Sequence, residues 1–343
     1  MTSVSAIALA VATVGLFAIT QDEGPAPADR NSPFAGPVAD PDPAADGIAD
    51  TGATAAEAAV DRVTPVELPA TARLSVDGEE VPHPVWHATV MPGETLALNL
   101  NMPGQARLDG ETISDTANIR WRAPDSAGVH DLRIEAANGE MFRLSVFVLQ
   151  PLNGQTVLEG YRIGTYPRNA PEGLIRITRE DLDAPISPGF TIGQFICKQQ
   201  PGHWPKFLLV SSNMLIRLEA LLSELREDEL TAADSFFIMS GYRTPFYNNA
   251  IGSARYSRHM YGDASDIYPD VLGGDGVMDD LNGDGRVTRA DAEFLYDYAS
   301  RLFTSRDDVP AGGIGAYGAN AVHGPFVHID GRGRIARWGR HGS

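Results

Sequence analysis

Cysteine is almost absent: Cys197 is the single one in the chain. No intramolecular disulfide can form, and no thiolate-rich zinc site exists, so any metal must be held by His and carboxylates. In its Ile196-Cys197-Lys198 setting the thiol reads as a small buried hydrophobe, not a nucleophile. Basic residues are also scarce, 27 Lys and Arg against 45 Asp and Glu, which leaves a formal charge of −18. Nucleic acid binding needs clustered cations and is excluded as the main function. Docking on an anionic membrane surface is disfavoured for the same reason. No Lys or Arg precedes the first apolar run, so charge says little about its orientation.

That run, residues 4–20, is uncharged and almost wholly apolar. It is long for the core of a signal peptide and at the short limit for a membrane span. Ala26-Pro27-Ala28 resembles a cleavage site but lies far downstream and carries a proline. An uncleaved anchor is the expectation, ahead of a cleaved signal, and both export the remainder of the chain. Residues 21–66 are rich in Ala, Pro, Asp and Gly, with nine acidic residues over 21–65 against Arg30 and Arg62. This composition predicts an extended, self-repelling tether.

The remainder of the 343 residues, with 43% hydrophobic content overall, suffices for two domains. Over 67–150 short alternating runs are broken by Gly and Pro turns. Strands are expected at 72–76, 87–90, 95–100, 118–122, 130–136 and 141–149. The run Trp121-Arg122-Ala123-Pro124, with Leu132-Arg133-Ile134 beyond it, resembles bacterial immunoglobulin-like modules. An all-β sandwich is the expected fold here. His83 and His87 flank Trp86 and read as ordinary surface or core residues. Residues 152–204 are irregular and read as a lead-in that wraps a second domain. Met214, Leu215, Leu218, Leu221, Leu222 and Leu225 then fall on one helical face, with Ser211 or Ser212 as N-cap. A short buried strand is expected at 235–239.

His259 and Asp266 stand seven apart, with Gly262 and Ala264 between them. Seven is too far for one helical turn and suits a loop that bends back into a strand, glycine allowing close backbone approach. Residues 264–268 alternate as a strand with Asp266 on the face of Ala264, and 326–329 do the same around His328. Two neighbouring antiparallel strands would aim Asp266 and His328 at one ion, with His259 as third ligand. Zinc at a catalytic site takes such a set and leaves a position for water.

The pattern Ser257-x-His259-x-x-Gly262-x-Ala264-x-Asp266 resembles the first zinc motif of the D-Ala-D-Ala carboxypeptidase family of zinc metallopeptidases. Ser240-Gly241-Tyr242-Arg243, with Tyr247-Asn248, is similar to the segment that precedes it. Phe326-Val327-His328-Ile329-Asp330 and Arg337-Trp338 resemble the closing strand of divergent bacterial branches. Tyr161-Arg162-Ile163-Gly164 and 193–198 look like their lead-in. The resemblance covers roughly 152–342 and implies zinc on His259, Asp266 and His328, a water nucleophile, and cleavage of peptide bonds in peptidoglycan. It also implies that Arg243 binds a substrate carboxylate or carbonyl, a role for which a planar guanidinium fork is suited. Tyr242 and Ser257 join it as expected substrate contacts. One departure stands out. Better-known members carry a Glu general base three residues before the last His ligand, and here that residue is Pro325. His323 is the expected base in its place, Asp330 a residue that orients a ligand from behind, and Asp263 a solvated loop charge.

A second metal signal lies at 280–291. Asp280, Asn282, Asp284 and Asp291 occupy positions 1, 3, 5 and 12 of a calcium loop, with Gly285 at 6 and the Arg286 carbonyl at 7. The loop resembles dockerin-type loops, and a helix is expected over 292–299. The expected architecture is therefore α+β: an Ig-like sandwich at 67–150 precedes a zinc peptidase domain at 151–343. That domain has a small antiparallel sheet flanked by helices and a calcium-loop insertion at 275–291. The expected function is that of an exported, membrane-tethered, zinc-dependent peptidase of cell-wall peptides. The alternatives are a wall-binding protein that keeps zinc without catalysis, and a calcium-dependent adhesion or assembly module.

Overall fold

A computed structural model describes residues 69–340 except 272, 273 and 275. The expected anchor at 4–20 and tether at 21–66 lie outside the described residues. No helix among the described residues is long and apolar enough to cross a membrane. The fold is α+β, dominated by sheets, with three α-helices among the described residues.

The first part builds two sheets. One has four strands, ordered Glu79–Glu80, Leu74–Val76, Thr95–Leu100 and Asn118–Arg122. The other has five, ordered Val85–Val90, Met141–Val148, Gly128–Ala136, Gly104–Leu108 and Glu111–Ser114. Alternation explains the first sheet: Leu96, Leu98 and Leu100 are buried on one side of their strand. The hairpin between Leu108 and Glu111 is missing from the expected strands. Its turn is Asp109-Gly110 with φ of 50° and 88°, the conformation that two-residue hairpins require. Burial in Met141–Val148 alternates and then becomes continuous from Leu144 onward. The far face of that sheet is covered there: Ser145 Oγ donates to Pro185 O at 2.7 Å, and His87 Nδ1 donates to Ile186 O at 3.1 Å. His87 is thus a core residue, with burial pushing its pKa down to about 4. The apolar core continues without a break from Leu144 and Val146 through Ile175 and Ile186 to Leu218 and Ile329.

Beyond residue 200 a second five-stranded sheet forms, ordered Phe237–Ser240, Ala264–Tyr268, Phe326–Asp330, Gly313–Tyr317 and Ala336–Trp338. All its pairings are antiparallel except the last. Two helices pack on it, α1 (Ser212–Glu227) and α3 (Arg289–Ser305), with the short α2 (Pro245–Ala250) between them in sequence. The expected leucine face of α1 is the buried one, with Leu215, Leu218, Leu221 and Leu225 fully enclosed. Arg217 on the same helix is also buried. It donates to Pro310 O at 2.7 Å and lies over the Phe303 ring, so it pins the entry to the Gly313–Tyr317 strand. α3 is longer than expected at both ends, and its start is set by a capping box between Thr288 and Asp291.

Gly262 ends the turn that carries His259. Its φ is +64°, and a Cβ there would lie 2.2 Å from the Leu209 carbonyl carbon. No L side chain fits that space. Gly262→Ala is expected to lower unfolding free energy by at least about 1–3 kcal/mol from backbone strain, with the clash adding to it. Thermal melting measures this, and an unchanged Tm would contradict the packing described.

Candidate metal centre

The turn at Arg258–Tyr261 is a short 3-10 helix, and it presents His259 beside the strand that carries Asp266. Asp266 and His328 are direct cross-strand partners in the Ala264–Tyr268 and Phe326–Asp330 pairing. Opposed residues of an antiparallel pair project to the same face, so register alone brings these side chains together. Asp266 Oδ1 lies 2.9 Å from His328 Nδ1 and 3.3 Å from His259 Nε2, and the two nitrogens are 3.3 Å apart. One ligand atom from each of the three residues falls within 4.8 Å of the others, and all three residues are buried.

The remaining ring nitrogens fix which atoms face inward. His259 Nδ1–H donates to Gly241 O at 2.7 Å, leaving the Nε2 lone pair for an ion. His328 Nε2–H donates to Asp330 Oδ2 at 3.2 Å, leaving Nδ1. Asp330 is itself held by the Gly313 N–H at 2.9 Å and by the Arg332 guanidinium. Backbone and carboxylate partners of this kind orient metal-ligating imidazoles. His259 Nε2, one Asp266 oxygen and, once its inner proton has left, His328 Nδ1 converge in a buried position and fit a zinc ion. No sequence pattern marks the Gly241 carbonyl, because a backbone acceptor has no residue signature.

The charge states follow from the surroundings. Burial and the Arg243 guanidinium push the His259 pKa down to about 4, against the pull of Asp266. Burial opposes protonation of His328 as well, but hydrogen bonds to Asp266 and Asp330 outweigh it and raise its pKa to about 9. Asp266 loses solvation, yet His259 and Arg243 hold it well below the usual carboxylate range.

Residues 201–273 match the Peptidase M15 family. The matched stretch contains His259 and Asp266 and ends before His328. It supports a zinc D-Ala-D-Ala carboxypeptidase-like peptidase of M15 type, and covers well under half of the chain. No curated protein and no solved structure matches the chain.

The other expected site residues fall in different places. Arg243, placed by the N-cap of α2, donates to Asp266 Oδ2 at 2.6 Å and to Ser240 Oγ at 2.8 Å. It therefore steadies the carboxylate ligand, while its Nη1 donates to Ser253 Oγ at 3.4 Å. Tyr242 is 1% exposed, and its hydroxyl pairs with the buried Tyr166 hydroxyl at 2.7 Å. Enclosure removes it from substrate contact, contrary to expectation. Ser257 is buried and opens the His259 turn, its carbonyl accepting from Met260 N. Asp263 is not a solvated charge: it is 5% exposed and ion-paired with Arg258. One residue not expected at the site adjoins it. Trp338 lies with its ring 5.2 Å from that of His328. Lys198 has its pKa lowered by burial and by repulsion from Arg243.

His323 is held inside its own loop. Its Nδ1–H donates to Gly324 O at 2.7 Å, and its Nε2 accepts from Asn320 Nδ2 at 2.7 Å. The tautomer is that of a base at Nε2, but this nitrogen is turned to Asn320. In the expected calcium loop the side-chain oxygens accept from loop N–H groups: Asp280 from Gly283, Asp284 and Gly285, Asn282 from Asp284, and Asp284 from Arg286. Asp291 is fully buried and accepts from Leu281, Asn282 and Thr288. Among the described residues the group of His, Cys, Asp or Glu poised for a metal is the His259 set, so calcium rests on the sequence spacing alone.

A raised His328 pKa means that metal must displace a proton. Below about 9, where that proton is bound, zinc affinity is expected to fall about tenfold for each pH unit, while His259 with its pKa near 4 adds no slope above pH 5. Chelator competition between pH 6 and 8 measures this, and a flat profile would contradict the assigned charge state.

Proposed function

We propose that the protein is an exported zinc peptidase that hydrolyses peptide bonds in peptidoglycan stems or cross-links. The observation that carries the proposal is the buried His259–Asp266–His328 set with its inward lone pairs fixed by Gly241 and Asp330. The M15 match over 201–273 supports the same reading. When bound, zinc would supply a Lewis acid for the scissile carbonyl and lower the pKa of a water. His259 Nε2, His328 Nδ1 and Asp266 Oδ1 would hold it. Arg243 keeps Asp266 ionised and aligned. In this proposal His323 takes the proton from water through Nε2, after giving up its bond with Asn320 and turning toward the ligand set. Residues 4–20 would anchor the chain, 21–66 would space it from the membrane, and the β-rich part at 67–150 would serve as an Ig-like spacer. Composition and pattern support these assignments.

A second reading has its own observation. Pro325 occupies the position from which a carboxylate base would act, and His323 is engaged with Asn320. That arrangement favours a zinc-holding wall-binding protein without turnover. Mass spectrometry of muropeptides after incubation with the zinc-loaded protein separates the two. The expected result is shortened stems or opened cross-links, abolished by His259→Ala and reduced about 100-fold or more by His323→Ala, the usual scale for loss of a general base. Intact muropeptides with the unaltered protein would favour the binding reading.

A further inference from the structure

Acidic residues are missing from the three segments that build the surroundings of the metal centre. Residues 161–171, 191–218 and 240–262 contain none of the chain's 45 Asp and Glu, yet hold eight of its 27 Lys and Arg. In a chain of net charge −18 these segments are locally cationic. The first and third of these segments are joined. Phe246 N donates to Ile163 O at 2.9 Å, Tyr261 Oη donates to Arg168 O at 2.7 Å, and Gly164 lies so close to Phe246 that a Cβ would meet its backbone nitrogen at 2.5 Å.

On the surface of this junction stand two exposed aromatic rings, Phe246 at 38% and Tyr256 at 42% exposure. Each carries arginine on its face. The Arg162 guanidinium is 5.1 Å from the Phe246 ring centre, and Arg168 and Arg255 are 4.6 and 5.4 Å from that of Tyr256. All three arginines are exposed, and none has a carboxylate partner among the described residues. A guanidinium stacked on a ring has its N–H donors directed outward in its own plane, pre-oriented for a bidentate acceptor. The ledge follows directly on the catalytic elements: Phe246 is three residues after Arg243, and Tyr256 three before His259.

We propose that this arginine–aromatic ledge binds carboxylates of an acidic peptide strand, and so holds the substrate outside the bond to be cleaved. The inference rests on the peptidase reading for its context but not for its test. Spaced, outward-facing forks match spaced carboxylates. The net negative charge of the rest of the chain would disfavour such a strand on acidic faces and favour this one.

Fluorescent poly-L-glutamate, titrated into the zinc-loaded full chain and followed by anisotropy, tests the ledge without any hydrolysis. Binding is expected to weaken with added salt and to fall about tenfold or more in the triple variant Arg162→Gln, Arg168→Gln, Arg255→Gln, at unchanged Tm, since charge-assisted hydrogen bonds are lost. The corresponding triple Lys variant should retain part of the affinity, because charge remains and the fork does not. No binding by the unaltered protein, or equal binding by the Gln variant, would overturn the proposal. Polyphosphate bound in preference to poly-glutamate would also overturn it. Muropeptide hydrolysis with an inert ledge, or a binding ledge without hydrolysis, tells failure of one reading from failure of the other.

Discussion

The pairing of Asp266 with His328 across two central strands is the constraint from which the rest of the centre follows. A shift of one residue in that register would send one of the two side chains to the opposite face of the sheet. The register is secured from both sides. Ser240 pairs with Asp266 on one edge, and Gly315 pairs with His328 on the other. Gly315 lacks a side chain because the Trp338 indole crosses over it, where a Cβ would stand 2.2 Å from Nε1. The same indole borders His328, so the packing that fixes the strand also reaches a ligand side chain.

Burying so many charges in one place is stable only if each is matched. Asp266 has Arg243 and two imidazoles, Asp330 has Arg332, His328 and a backbone N–H, and Asp263 has Arg258. These groups form two shells around the ligand atoms. The inner one sets where lone pairs point, and the outer one sets which protonation states persist. Arg217 reaches the same region from α1 and ties the Gly313 strand to the helix layer. Removing one partner would leave an unpaired buried charge, which costs several kcal/mol in comparable cases. The centre is therefore part of what stabilises the fold in this region as well as the candidate metal site.

Much of the site was legible in the residues because its chemistry needs rare side chains at fixed places. His259 and Asp266 bracket a glycine that must be left-handed, and the alternation around His328 predicts its face. The leucine face of α1 was legible for the same reason, since helical period and burial coincide. Roles that depend on direction were not legible. Tyr242 adjoins Arg243 in sequence yet turns inward to Tyr166, and Asp263 has a loop composition yet is enclosed with Arg258. Strand alternation over 141–149 gave no warning that both faces would be covered, because the covering segment at 173–187 is distant in sequence. His323 shows the limit most clearly: its spacing suggests a base, but its hydrogen bonds belong to a loop whose path no local pattern encodes.

The central claim is that one zinc ion is held by these three side chains and by no thiolate. X-ray absorption spectroscopy of the zinc-loaded protein tests it most directly. The expected result is one ion per chain with two imidazoles at about 2.0–2.1 Å, oxygen completing a four-coordinate shell, and no sulfur. A sulfur scatterer, three imidazoles, or a spectrum unchanged in Asp266→Ala would contradict it.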